Sequence, residues 1–427
     1  MTAVVAPVAA LLLSVALLLM GSGLQGTLLP IRAGIEGYSA LDIGILGSSY
    51  YLGFALGCLG GPHVVRRVGH IRAFAALAAA AACVVLIHAL IVNPAIWWFL
   101  RAGTGFCLAV LYMVIESWLN EKSTNENRGL VFSTYTIINL TVTTAGQLML
   151  MFDDPKNFPL YALASILIAL AVVPVALTTS AAPAPIAAVK IRIRHLYRLS
   201  PVGVVGCAAV GLVNGSFWTL APVFAHADGG SVANVALFMS IAVIAGAIGQ
   251  WPLGLLSDRI DRRKVIVLAS IGAALAGAGM VALAHTFAAG TLVFAFLFGI
   301  FALPLYTLCV AHLNDFVEPA GYIEAASGLL LVYALGAVAG PMVASLAIRF
   351  IGIESLFGYT ACVHLAMAAF AYYRLRERAP APKEEHINFA DAIRFATTVS
   401  AVDPLSVAPQ AELEQIDTVV GGGRNSS

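Results

Sequence analysis

The stretch "LRAGTGFCLAVLYMVIESWLNE", Leu100 to Glu121, decides how this chain is read. It is apolar enough for a bilayer crossing, which takes about 20 mostly apolar residues in a helix. Yet it carries Arg101 near one end and Glu116 near the other. An ionisable group inside a span is costly and usually faces the bundle interior or a water-filled cavity. Fifteen residues separate the two, about 22 Å along a straight helix at ~1.5 Å per residue. They cannot be direct partners. Arg101, Gly105, Leu108, Tyr112 and Glu116 follow at spacings of 4, 3, 4 and 4, one stripe of a helix.

The rest of the chain is of the same kind. Of 427 residues, 60% are hydrophobic and 11% charged, against about 25% charged in soluble domains. That much apolar surface requires a bilayer. The net charge of +1 gives no sign of nucleic-acid binding. The six cysteines stand singly with no CxxC pair, which supports neither a disulfide framework nor a metal site. Twelve apolar stretches read as spans: 6–29, 43–62, 73–92, 96–119, 129–151, 158–178, 202–225, 233–256, 265–285, 289–313, 324–349 and 354–376. The first is too long for a signal-peptide core of ~7–15 residues and lacks a basic leader, so it is expected to be retained.

Lysine and arginine fix the expected orientation. Thirteen lie in the gaps after even-numbered spans: Arg66, Arg67, Arg72, Lys122, Arg128, Lys190, Arg192, Arg194, Arg198, Arg259, Arg262, Arg263 and Lys264. Only Arg32, Lys156 and Arg349 lie on the other side. The positive-inside rule then puts both termini in the cytoplasm. The alanine/proline-rich and then basic gap 179–201 divides a first six-span bundle (1–178) from a second (202–376). The polar tail from 377 to 427 is expected to be mostly disordered, with a short amphipathic helix around Ile387–Phe395.

The two halves repeat each other. "YMVIESWLNE" (112–121) aligns without gaps on "YTLCVAHLND" (306–315), so Tyr112 meets Tyr306 and Glu121 meets Asp315. Gly105 meets Gly299 in the same register. "PHVVRRVGHIR" (62–72) lies on "GLLSDRIDRRK" (254–264). Many secondary transporters are built from such repeats, with the solute site at mid-membrane between them.

On these residues the chain resembles the major facilitator superfamily. "GLLSDRIDRRKV" (254–265) is similar to that family's cytoplasmic-loop signature through Gly254, Asp258, Arg259, Arg262 and Arg263, with Asp261 in place of a glycine. The first-half copy keeps Arg67 and Gly69 but has Arg66 where the aspartate belongs. "RAGTG" and "GAVAGP" (336–341) match two further family patterns. "RVGHIRAF", "ESWLNE" and "QWPLGLLSDRIDRR" together resemble the YcaD-like bacterial branch. The resemblance implies an all-α integral membrane fold, twelve transmembrane helices in two pseudo-symmetric six-helix bundles. It implies a cavity lined by spans 1, 4, 7 and 10, and a gate in which Asp258 clamps the start of span 5 near Gly129. Arg66 cannot act so at span 11, because a cation is disfavoured at a helix N-terminus; a pair with Glu324 is the expected substitute.

The substrate and coupling candidates follow. Arg101 either snorkels to the surface or, as the resemblance implies, serves proton transfer or anion contact. Glu116 is either a gate residue paired with Arg67 or Arg72, or a proton carrier; it aligns with Val310, so the second half has no counterpart. Thr136, Asn139, Thr143 and Gln147 form a polar stripe on span 5 that faces another helix or a cavity. Asn214 and Trp218, four apart on span 7, and Gln25, Tyr112 and Tyr306 complete the set. Glu121, Asp258, Arg259, Arg262, Arg263, Asp315, Arg67 and Arg72 form the expected cytoplasmic gate. Ser39 and Asp42 read as a capping box, while His88, His285 and His364 read as packing residues.

No HExxH, phosphate-cradling loop or nucleophile set occurs in a credible context, so no enzyme is expected. The expectation is a secondary transporter of a small organic solute in the bacterial cytoplasmic membrane. It works as a monomer, needs no cofactor, and couples to the proton gradient. A uniporter is the alternative within transport. A non-transporting sensor or scaffold, with the tail as output, is the alternative of another class.

Overall fold

A computed structural model describes residues 8–123, 128–177, 192–227, 231–286, 289–318 and 321–377, together with Asn388, Phe389 and Ala392. Among these residues there are helices and no strands. Twelve long helices follow one another: α1 (Ala9–Ile35), α2 (Ala40–Val68), α3 (His70–Leu90), α4 (Pro94–Glu121), α5 (Arg128–Leu148), α6 (Phe158–Ala176), α7 (Pro201–Ala227), α8 (Val232–Arg259), α9 (Arg262–Leu283), α10 (Gly290–Asn314), α11 (Tyr322–Ile351) and α12 (Ser355–Glu377). Eleven of them are long and apolar enough to cross a membrane. The remaining one, α5, carries Thr134, Thr136, Asn139, Thr143, Thr144 and Gln147, polar residues that lower its hydropathy while its length stays sufficient. Several helices outrun the apolar stretches that define them, α2 reaching Val68 and α4 Glu121, because a helix continues beyond the bilayer core wherever its backbone stays hydrogen-bonded.

Side chains start several helices. Ser39 Oγ accepts from the Asp42 N–H at 3.2 Å and Asp42 Oδ2 accepts from the Ser39 N–H at 3.0 Å, the reciprocal capping box expected for α2. Asn93 accepts from the Ile96 N–H ahead of Pro94, the first residue of α4. α10 is interrupted at Leu303–Pro304, where proline has no N–H to continue the ladder. Its repeat counterpart α4 is continuous.

The packing repeats as the sequence does. α2 packs on α4 as α8 packs on α10, α1 on α5 as α7 on α11, and α3 on α6 as α9 on α12. Without a hydrophobic drive between helices in lipid, close backbone approach through small residues holds such pairs. A Cβ on Gly105 would overlap the Tyr50 carbonyl of α2, and one on its repeat partner Gly299 would overlap the Ala242 carbonyl of α8. Gly336 and Gly340 of "GAVAGP" meet the Ala208 and Leu212 carbonyls of α7 in the same way. The two halves face each other along α2–α11 and α5–α8. At one end they are shut: Gly44 lies against Ser345 and Pro341, Gly47 against Thr219, and Ser48 donates to the Val338 carbonyl at 2.6 Å.

Outside the spans, a short helix Ile193–Leu199 belongs to the link between halves. Arg192, just before it, holds Glu324 through two hydrogen bonds of 2.8 Å. This corrects the expected Arg66–Glu324 pair: Glu324 is taken by the link, and Arg66 is exposed on α2. Of the tail, Phe389 is 4% exposed and Ala392 fully buried, so this piece is packed rather than detached. The Phe389 ring sits where a side chain on Gly254 would stand. The rest of the expected tail helix, and the link from 179 to 191, lie outside the described residues.

Gly105→Ala is expected to destabilise the bundle by about 1–3 kcal/mol, the usual cost of overpacking, read as a lower unfolding temperature in detergent. Gly103→Ala, two residues away with nothing within 4 Å of its Cβ, is expected to hold or gain up to about 1 kcal/mol from helix propensity. Equal effects of the two would show that α2 and α4 are not held by backbone approach.

Candidate functional site

Between the halves lies a cavity of about 320 Å³ lined from both. α1 contributes Ser22 and Thr27, α2 Tyr50, Tyr51 and Phe54, and α4 Arg101 and Tyr112. α5 adds Asn139, Thr143 and Gln147; α7 adds Trp218 and Thr219; α11 adds Leu330 and Tyr333. Close packing at Gly105 brings the Tyr50 backbone against α4, and one turn earlier the Arg101 guanidinium lies 4.5 Å above the Tyr50 ring centre. This is cation–π geometry, so Arg101 points into the bundle rather than to the surface.

Five of the nine substrate and coupling candidates line the cavity: Arg101, Tyr112, Asn139, Gln147 and Trp218. The other four do not. Tyr306 stacks edge-on against Tyr333 with ring centres 5.0 Å apart, one ring removed from the lining. Asn214 is buried, with its Oδ1 lacking a hydrogen-bond partner, and so is the Gln25 Nε2. Glu116 is 0% exposed and lies one turn beyond Tyr112 on α4. The Tyr135 hydroxyl of α5 donates to it at 3.4 Å, while Arg67 and Arg72 are exposed.

The polar stripe of α5 reaches the cavity through Asn139, Thr143 and Gln147. Tyr50, Tyr51, Phe54 and Tyr333 were not singled out from the sequence. An aromatic residue in an apolar span carries no signal of which face it presents; only the adjacent pair Tyr50–Tyr51, at mid-span, hinted at a special surface.

The expected gate residues divide. Arg262, with a side chain 0% exposed, donates to Asp315 at 2.8 Å, to Ser257 at 2.8 Å and to Asp258 at 3.1 Å. This buried cluster joins α8, α9 and the end of α10, all within the second half. Asp258 also accepts from the Phe389 N–H at 3.0 and 3.2 Å. The residues leading into α5 (124–127), next to Gly129 on the other side of the expected Asp258 clamp, lie outside the described residues. Asp261 caps α9 and binds Arg263. Burial pushes its carboxyl up, but the Arg263 hydrogen bonds outweigh this and hold it below the ordinary carboxylate value.

Asp261 also explains the departure from glycine. Its φ is −53°, whereas Gly69, its repeat counterpart, has φ +84°, a region that favours glycine. Among the described residues no matching cluster is seen in the first half: His70, aligned with Arg262, stands 3.2 Å from Ser117 Oγ, and Glu121 is exposed. Glu121 and Asp315 thus share a register without sharing an environment. Arg259 is exposed as well. His88 and His364 pack as expected, against Trp97 and Phe298; the His285 side chain lies outside the described residues.

Asp315→Ala is expected to cost about 3–5 kcal/mol, because it leaves the buried Arg262 charge short of a partner. Glu121→Ala is expected to change stability little, both being read by thermal unfolding in detergent. Equal losses at the two positions would favour one repeated role.

Comparison with known proteins agrees with this architecture. Residues 11–290 and 203–409 match the sequence model of the Major Facilitator Superfamily. The MFS-type transporter YcaD of Escherichia fergusonii is 28% identical over 370 residues, spanning 86% of this chain and 94% of its own. An MFS-type transporter of Enterobacter sp. strain 638 is 28% identical over 383 residues with the same coverage. Among solved structures, the nucleoside transporter NupG superposes with a TM-score of 0.73 at 13% identity, over 87% of this chain and 99% of that one. A D-xylose-proton symporter superposes at 0.66 and 14% identity, over 85% and 96%. These two likenesses concern the fold alone.

Proposed function

The chain belongs to the Major Facilitator Superfamily, in its YcaD-like branch, as a multi-pass membrane transporter and not an enzyme, and from that premise we propose that it carries a small organic solute by proton-coupled alternating access. The observation that carries this reading is the central cavity, walled by α1, α2, α4 and α5 of one half and α7 and α11 of the other. Rocking two halves against each other exposes such a cavity to one side and then to the opposite side. The lysine and arginine bias supports placing the Arg66–Arg67 and Arg262–Arg263 loops in the cytoplasm of a bacterial cell. In that orientation the shut end at Gly44, Gly47 and Ser48 faces outward.

Glu116 is the proton carrier in this reading. It is a buried carboxylate one turn from the cavity-lining Tyr112 and within reach of the Tyr135 hydroxyl. Proton entry and exit at such a group follow changes in its burial as the halves move. A uniporter draws support from the same residue's absence from the cavity wall, since a coupling group that never meets solute or water would serve structure alone.

Proteoliposomes holding a pH-sensitive dye separate the two. Under an imposed pH gradient, labelled small metabolites are expected to accumulate only with the protein present. Glu116→Gln is expected to abolish accumulation while preserving downhill exchange. Solute flux indifferent to the gradient would sink the coupling and leave the uniporter.

A further inference from the structure

The cavity also says what kind of solute it is shaped for. Among the described lining residues Arg101 supplies the single formal charge, and no aspartate, glutamate, lysine or histidine shares the wall with it. Among the described residues Arg101 has neither a carboxylate nor a hydrogen-bond acceptor as partner, only the Tyr50 ring. An arginine cannot shed its proton, so this charge stays in place whatever the cavity holds. Its guanidinium fork matches a carboxylate through two parallel hydrogen bonds, and stacking on an aromatic ring leaves the edge of the fork free for them.

A second group in the wall asks for the opposite. Gln147 is 2% exposed, and its Oε1 has no hydrogen-bond donor. Buried acceptors are normally satisfied, and this oxygen is covered from the cavity as it stands, so a turn of the Gln147 side chain is what would offer it to an N–H or O–H of the solute. The same wall carries Tyr50, Tyr51, Phe54, Tyr112, Trp218 and Tyr333, and aromatic rings favour contact with a flat apolar body. A volume of about 320 Å³ lies at the low end of ligand pockets, about 300–1,000 Å³, a size that suits a small molecule.

We infer that the solute is a small planar organic monoanion, its carboxylate held by Arg101, its ring system between the aromatic side chains, and an N–H or O–H donated to Gln147. The inference rests on the transport reading above, but concerns recognition and is tested by binding.

The test uses the purified full chain and matched pairs that differ only in charge: 4-hydroxybenzoate with its amide, indole-3-acetate with its amide, and nicotinate with nicotinamide. Thermal stabilisation at neutral pH is expected from at least one acid at millimolar concentration and not from its amide. Arg101→Gln is expected to weaken that acid's apparent affinity by tenfold or more, about 1.4 kcal/mol or greater, and Arg101→Lys by less. Gln147→Leu is expected to weaken acids bearing a ring donor and to spare those without one. The inference is overturned if the amides stabilise as well as the acids, if no acid stabilises, or if an acid binds equally to the folded Arg101→Gln protein. Since the acid–amide contrast is read on the wild-type chain, a variant that fails to fold leaves the test intact. Gradient-driven flux of a neutral or cationic solute, untouched by Arg101→Lys, would sink this inference and keep the transporter. Binding of an acid without flux would do the reverse.

Discussion

Close approach of helix backbones is the constraint on which the rest depends. In lipid the side chains of two helices gain little by leaving hydrocarbon for each other, so contact has to come from fit. Gly105 and Gly299 let α4 and α10 lie directly on the carbonyls of α2 and α8, and Gly336 and Gly340 do the same for α11 on α7. Away from these points the halves part around the cavity, which Tyr50, Tyr112, Trp218 and Tyr333 help to line. Arg101 stands at the junction of the two regimes, four residues before the tight contact and facing the opening.

Much of this was legible in the sequence, because the signals involved are local. Span length and composition give the helices; a tyrosine and a leucine–asparagine–acid ending give the repeat; Ser39 and Asp42 give their own cap. The α5 stripe was legible as one polar face, but whether that face met another helix or a cavity was not. What escaped has non-local causes. Which base would partner Glu324, or that Tyr50 would lie beneath Arg101, depends on segments brought together from distant parts of the chain. Gln25 and Asn214 sit on cavity-forming helices but are turned away from the opening, a rotation that no periodicity in a nearly uniform apolar helix can settle.

The repeat is faithful in packing and unfaithful in chemistry. Each helix pair of the first half has its counterpart in the second, since packing needs only small residues at matching places. The ends of the helices have diverged. Around Arg262 the second half has a buried ion cluster that locks three helix ends together. The first half has a histidine–serine contact and exposed charges at the equivalent place. Among the described residues, the buried bracing at this end lies in the second half. An alternating mechanism built on such a pair need not divide its motion equally.

The seat of Phe389 bears on how the protein is handled in the laboratory. Its N–H is bound by Asp258, and its ring fills the notch above Gly254. A chain cut at Glu377, where α12 ends, would bare that notch and deprive the signature aspartate of a donor. Reporter fusions and affinity tags consequently belong beyond Ala392, and a shortened chain ending before Asn388 is a different cytoplasmic surface and not a trimmed copy of the same one.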